Sequence, residues 1–372
     1  MTMPASIQPI KNKFRVTFEH GKDANGKRER STKTVKTEKE AIKLKTEFEY
    51  NEQRSLLANR NKMTVVEALE YWLDNYVKHN CEKTTVSGYR NVIYNHLIPA
   101  LGSKQVQELQ PSEIQQYYTM LQDVKNLSPN TVHRHHAVIR KMLDFALKQQ
   151  LVYRNVADAV SLPKKRKSIG QAYTKDQLKL LFDKVKDTKL ELPVLLASYL
   201  GLRRSEIMGL KWDCVDFEKR VIRIVSVRVT VGKETFDKVP KTDNSNRVLH
   251  MADELYNLLM KHYKHQIGQK ETLGTYYDYT GYVVVRENGK PARVNTVTEQ
   301  FKEFLEKQEL PHIRLHDLRH TFASVLYNAG LDLKAISEAL GHSEIGTTSR
   351  IYTHIFDKTH KKALEAMSMV MN

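Results

Sequence analysis

Between Met63 and Lys148 the apolar residues recur at helical spacing, and that periodicity restricts this stretch to packed helices. Val65, Val66, Leu69, Trp72, Leu73 and Tyr76 share one face of the first. Further helices are predicted from Thr84 to Leu97, from Pro111 to Leu121 and from Ser128 to Lys148. The last has Ser128 as N-cap, Pro129 at the first helical position, and Ile139, Met142, Leu143, Ala146 and Leu147 as its apolar face. Residues 61–160 therefore read as a small all-helical domain. His133, Arg134, His135 and His136 follow one another on the last helix. Adjacent helical residues diverge and cannot converge on one metal ion, so the cluster reads as a polar face able to lie on DNA.

The flanking blocks carry different patterns. Phe14, Val16 and Phe18 alternate with Arg15 and Thr17 as in a half-buried strand, and a basic extended run from Lys27 to Val35 follows the Gly21–Gly26 stretch. Thr37 and Glu40 make a capping-box signal ahead of Ala41, Leu44 and Phe48 at helical spacing. Residues 1–60 are thus expected to form a small sheet plus one helix. Residues 161–173, with Pro163, Lys164, Lys165, Arg166, Lys167 and Gly170, read as a basic linker, either a solvated connector or a segment along phosphates. Thr174 and Gln177 cap a new helix bearing Leu178, Leu181, Phe182 and Val185, so residues 174–372 begin another domain. The alternation from Val225 to Val231 predicts a strand, Arg247 to Met251 a return strand, and helices resume from Ala252. The expected fold class is multidomain and mainly α with small β-sheets.

Charge narrows the partner. Sixty Lys plus Arg stand against forty-three Asp plus Glu, a formal net charge of +17, which favours a polyanion whose counterions are released on binding. Cys81 and Cys214 cannot make a disulfide framework, and the N-terminal residues contain no signal-peptide core, so a cytoplasmic, nucleoid-associated protein is expected. The most apolar run, Leu192 to Leu202, is too short to span a bilayer. No GxxxxGK[ST] loop, HExxH or dinucleotide fingerprint occurs, so neither ATP nor a metal cofactor is expected.

Three short segments stand out as a set: Leu200-Gly201-Leu202-Arg203-Arg204-Ser205-Glu206, His316-Asp317-Leu318-Arg319-His320, and Leu340-Gly341-His342 with Tyr352 ten residues on. Singly each reads as ordinary, Arg203 pairing with Glu206 and Arg319 or His320 as a satisfied polar residue. Together they supply what phosphodiester chemistry needs: guanidiniums for non-bridging oxygens, imidazoles and a hydroxyl nucleophile. His316 and Arg319, three apart on a predicted helix, are expected to share a face and one phosphate.

On these residues the chain resembles the tyrosine recombinase family, the integrases of phages and conjugative transposons, through all three blocks. The resemblance implies Arg203 and Arg319 as the paired arginines, His316 opening the H-x-x-R box, His342 as the second histidine and Tyr352 as nucleophile. It also implies Lys241 as the lysine of a β-hairpin loop, with Lys238 and Lys233 close by in the same predicted hairpin. Many members carry Thr where Leu200 precedes the glycine; that position has no chemical role. Glu206 is expected to be a structural partner of the arginine helix.

The implied activity is site-specific strand exchange of a mobile element through a 3′-phosphotyrosyl intermediate. Its partners would be double-stranded DNA at core and arm attachment sites, a homotetramer on that DNA, an excisionase and a host DNA-bending protein, with no membrane. A type IB topoisomerase or a degenerate DNA-binding regulator are the competing expectations; the sheet-like N-terminal block argues against the first and the complete residue set against the second.

Overall fold

The structure is a computed structural model that describes residues 5–22, 28–53, 61–166, 170–232, 234–239 and 246–341. The chain divides into two compact units, residues 1–167 and 168–372, and the predicted linker spans their division. As expected, helices dominate and the sheets are small and antiparallel.

In the first unit, β1 (Ala5–Ile10), β2 (Lys13–Lys22) and β3 (Arg28–Val35) form a sheet in chain order, with Thr17 opposite Ser6 on one side and Thr32 on the other. β1 was not foreseen: Pro9 and its polar neighbours mask the alternation, which an edge strand tolerates. Helix α1 (Glu38–Gln53) packs on the sheet, with Phe48 against Phe18 at 4.9 Å between ring centroids. Its predicted start holds, since the Glu40 N–H donates to Thr37 Oγ1.

The helical block comprises α2 (Val65–Trp72), α3 (Lys78–Asn80), α4 (Lys83–Val92), α5 (Ile98–Leu101), α6 (Pro111–Asp123) and α7 (Pro129–Lys148). Single π-helical turns at residues 73–77 and 93–97 join α2 to α3 and α4 to α5. Leu69, Trp72, Ile93, Leu97, Tyr118, Ile139 and Met142 meet in one core, and each such buried side chain contributes about 1.5–3 kcal/mol. Ser128 caps α7 as predicted.

The histidine cluster needs correction. His135 is 2% exposed and shares a 2.6 Å hydrogen bond with the Tyr117 hydroxyl, so it belongs to the core and not to a polar face. Burial first, then the neighbouring His96 and Arg134, pushes its pKa down to about 4. His136 bonds the Tyr118 hydroxyl, and His133 Nε2 donates to the Pro163 carbonyl. With Asn130 Nδ2 donating to the Arg166 carbonyl and Ser161 N to Gln115 Oε1, residues 161–166 are fastened to α6 and α7.

The second unit opens with α8 (Lys175–Val185), capped by the predicted Thr174/Gln177 box. Helix α9 (Glu191–Leu200) is apolar almost all round and accordingly buried, which explains the apolar run. No helix of the described residues is long and apolar enough to cross a membrane. After α10 (Arg204–Gly209) come β4 (Val215–Asp216), β5 (Val221–Ile224), β6 (Val227–Val231), β7 (Glu234–Lys238) and β8 (Arg247–His250). Here the expectation is corrected twice. Val225 lies outside β6, and β8 is not the return strand of β6: it pairs with β5 in the order β4-β5-β8, while β6 and β7 form their own hairpin. The near neighbour in sequence wins β6 because a hairpin closes a short loop at small entropic cost.

Helices α11 (Asp253–Leu273), α12 (Thr296–Lys307), α13 (Asp317–Asn328) and α14 (Leu333–Leu340) complete the described chain. Leu255, Leu259, Phe301, Leu305 and Leu318 join Leu196 and Ile222 in the core of this unit.

Candidate active site

The three motifs converge on the ends of two helices. Helix α9 closes with Gly201 and α14 with Gly341, both in the left-handed conformation that glycine adopts without strain. A Cβ on Gly201 would meet Phe322 at 2.6 Å and Leu340 at 2.9 Å, so this turn is also pressed against α13 and α14. Their last carbonyls carry the negative end of each helix dipole and attract cations.

Arg319, 2% exposed on α13, donates from Nη1 to the Gly201 carbonyl and from Nη2 to the Leu340 carbonyl, each at 2.6 Å. These acceptors are neutral, so they fix the guanidinium without cancelling its charge. Arg203 stands in extended conformation at the head of α10, and its Nη2 donates to the Gly341 carbonyl at 3.2 Å. The first arginine box, the second and the two residues before His342 are therefore tied together by side-chain-to-backbone bonds.

Glu206 sits beneath Arg203, 1% exposed. Its carboxylate accepts the Arg203 backbone N–H at 2.9 Å and Nη1 at 2.7 Å, as expected of a structural partner. It also accepts two bonds from Arg247 of β8, at 3.2 and 2.9 Å. Burial would raise the Glu206 pKa, but the hydrogen bond and charge of Arg247, followed by Arg203, hold it below the usual carboxylate value. Arg203 and Arg247 thus share one carboxylate, two guanidiniums against one negative charge, and the local balance is positive, which suits an anionic ligand.

His316 precedes α13 and is exposed, its ring meeting that of His320 edge-on at 5.3 Å between centroids. Protein packed around its inner side desolvates it, and His320 and Arg319 oppose a further positive charge; its pKa falls to about 4 and the ring is neutral at pH 7. The expected common face with Arg319 is modified: the Arg319 side chain turns inward to the helix ends while His316 stays at the surface. Asp317 is committed to Arg314, whose Nε and Nη2 it holds at 3.0 and 2.8 Å, so the His-Asp doublet works as a helix-start clamp.

Lys241, His342 and Tyr352 lie outside the described residues. Lys238 ends β7 opposite Val227. The β6–β7 hairpin is pinned by Asp237, which accepts from Arg228 Nη1 at 3.2 Å and from the Tyr282 hydroxyl and pairs with Lys211 at 3.1 Å. Tyr327, partly buried, packs against Ala323, Ile336 and Leu340.

Sequence reasoning missed Arg247. A signal was present: Arg247 shares the inward phase of β8 with Leu249, while Val248 and His250 face out. A cation in the inward phase of a strand needs a buried partner.

Residues 64–122 match the phage integrase N-terminal SAM-like domain. A tyrosine recombinase XerC-like protein of Caldanaerobacter subterraneus is 28% identical, with 96% of each chain covered. The ICEBs1 integrase of Bacillus subtilis is 24% identical, over 97% of this chain and 99% of that one. The Tn1549 transposon integrase, solved in complex with a circular intermediate DNA, shares the fold with a TM-score of 0.70 at 21% identity, over 82% of this chain and 99% of that one. A lambda integrase tetramer bound to a Holliday junction gives 0.57 at 16% identity, over 94% and 95%. Residues 171–359, half of the chain, match the phage integrase family, and the chain belongs to that family, the tyrosine recombinases.

Proposed function

We propose that the protein is a site-specific DNA recombinase that integrates or excises a mobile element through a 3′-phosphotyrosyl intermediate. The observation that carries this reading is the pair of arginines, Arg203 and Arg319, held on consecutive carbonyls of Gly341 and Leu340 immediately before His342. Arg319, held by neutral carbonyls, keeps its charge, and Arg203, whose Nη1 pairs with Glu206, shares that carboxylate with Arg247. Both guanidiniums are thereby placed for the non-bridging oxygens of a scissile phosphate, where negative charge grows in the transition state.

A phenol with a reference pKa of about 10 is a weak nucleophile at neutral pH, so that stabilisation is essential. The Tyr352 oxygen attacks phosphorus and loses its proton; the bond to the 5′-oxygen breaks, and Lys241 gives that oxygen a proton. Neutral His316 accepts or relays the phenolic proton, and His342 donates a hydrogen bond to the phosphate. Attack by the 5′-hydroxyl of a partner strand reverses the step and joins new ends, so no ATP is consumed.

Residues 1–60 hold arm-type DNA, residues 61–160 grip the core site and residues 174–372 carry the chemistry. A homotetramer on two DNA sites would perform the exchange, as the lambda integrase tetramer is seen on a Holliday junction. An excisionase and a host DNA-bending protein would set direction and geometry.

The test uses a core site selected by the protein from a random duplex pool. A plasmid carrying two direct copies should lose the DNA between them. Relaxation of supercoils without exchange between copies would favour the type IB topoisomerase reading.

A further inference from the structure

Glu206 serves two arginines, and only one of them belongs to the expected site. Arg203 takes one carboxylate oxygen with Nη1 and the other with its backbone N–H. Arg247 spans both oxygens with Nη1 and Nη2, and its third donor, Nε, reaches the Ala339 carbonyl at 3.0 Å. Its side chain is 7% exposed, beside a Glu206 side chain at 1%.

Those contacts bring three segments onto one guanidinium and add β8 to the frame that Arg203 already ties to Gly341. Arg247 opens β8, a few residues after Lys241. Glu206 lies on α10 and holds Arg203. Ala339 precedes the Leu340 and Gly341 carbonyls that receive Arg319 and Arg203. A planar fork can hold a carboxylate with two nitrogens while its Nε serves a carbonyl; an ammonium group cannot satisfy all three acceptors at fixed positions.

We infer that Arg247 is a positioning residue for strand cleavage: by sharing Glu206 with Arg203 and gripping Ala339, it sets the first arginine against the helix end that leads to His342. This rests on the recombinase reading given above. Arg247 touches no DNA in this role. It keeps Glu206 ionised and in place, so that Arg203 presents its guanidinium in one orientation, and it registers β8 to the same frame. A misplacement on the order of 1 Å at such a centre costs about 100-fold in rate.

A buried ion pair that only supports the fold would lower stability and leave the chemistry of folded molecules alone, so the test separates the two. The full chain, as wild type, Arg247→Lys, Arg247→Met, Glu206→Gln and the Glu206→Gln/Arg247→Met double variant, is given a nicked suicide duplex bearing the selected core site. Covalent adduct formation is timed under single-turnover conditions from pH 5.5 to 8.5, with core-site affinity and thermal midpoint measured alongside. Arg247→Lys should bind the duplex within about threefold of wild type yet cleave about 10- to 100-fold more slowly. The acid limb of its pH profile should move to higher pH, because a buried Glu206 that loses its fork takes up a proton more readily. The double variant should cleave no more slowly than the slower single variant, since both act through one carboxylate. Should Arg247→Met fold poorly, Arg247→Lys and the pH limb still decide.

Wild-type cleavage rates with an unmoved acid limb in Arg247→Lys would overturn the inference, as would multiplicative losses in the double variant. Absence of any adduct with the wild-type protein would instead overturn the recombinase reading itself.

Discussion

Arg319 donates to the Leu340 carbonyl at 2.6 Å, so the second arginine box grips the last residue of the helix that leads to His342. The same guanidinium reaches Gly201 with its other nitrogen, at the same distance. An arginine that clamps two helix ends is both a scaffold and a held charge.

Arg319→Lys should therefore lose on two counts. One ammonium cannot serve both carbonyls, and each buried carbonyl left unpaired costs about 1–3 kcal/mol. Thermal melting should show a lower midpoint, and suicide-substrate cleavage should fall by more than the change in folded fraction accounts for. Unchanged melting would mean that the clamp adds nothing to stability.

Much of this was legible beforehand because it is local. Ser128 and Pro129, the Thr174/Gln177 box and the period-two run at Phe14 to Phe18 announce their elements through short-range chemistry. The arginine boxes were legible as residue types, whereas their partners were not: Gly201, Leu340 and Gly341 act through backbone carbonyls, which any residue possesses. The β5–β8 pairing and the burial of His135 against Tyr117 depend on tertiary contacts that no sequence window contains. Arg247 lay between, visible in strand phase but pointing to a partner forty-one residues away.

His135 predicts a pH dependence. Its pKa is about 4 when folded against 6.5 as the ordinary value, so below pH 6.5 the unfolded chain binds the extra proton. Stability should be fully present above pH 6.5 and should fall by about 2 kcal/mol by pH 5. Urea unfolding followed by Trp72 fluorescence, in a Trp212→Phe background, reads the helical block. His135→Gln should flatten that slope; an equal slope would move the proton uptake elsewhere.

In the proposed mechanism Lys241 supplies the leaving-group proton. Lys241→Ala should cleave poorly on an ordinary duplex and recover on one with a bridging 5′-sulfur, which departs without protonation. Sulfur rescue of Lys238→Ala in place of Lys241→Ala would transfer the role to the lysine at the end of β7.

Residues 1–60 hold fourteen Lys plus Arg against eight Asp plus Glu, around a three-stranded sheet. Phosphate contacts alone bind any sequence and weaken steeply with salt; base contacts add about 1–3 kcal/mol of discrimination each. Deleting this block should spare suicide-substrate cleavage and impair recombination between full attachment sites. At fixed salt, the full chain should select a second sequence, distinct from the core site, that the deletion no longer selects. Identical selections by both proteins would reduce the block to a basic tether.

Peptide mapping of the protein–DNA adduct decides whether covalent attachment runs through Tyr352. A nicked suicide duplex traps the intermediate, and protease digestion followed by mass spectrometry locates the nucleotide-bearing tyrosine. The mapped peptide should contain Tyr352 joined to a 3′-phosphate, and Tyr352→Phe should bind the duplex with nearly unchanged affinity while forming no adduct. An adduct mapped to another residue, Tyr327 included, or undiminished adduct formation by Tyr352→Phe, would remove Tyr352 as the nucleophile.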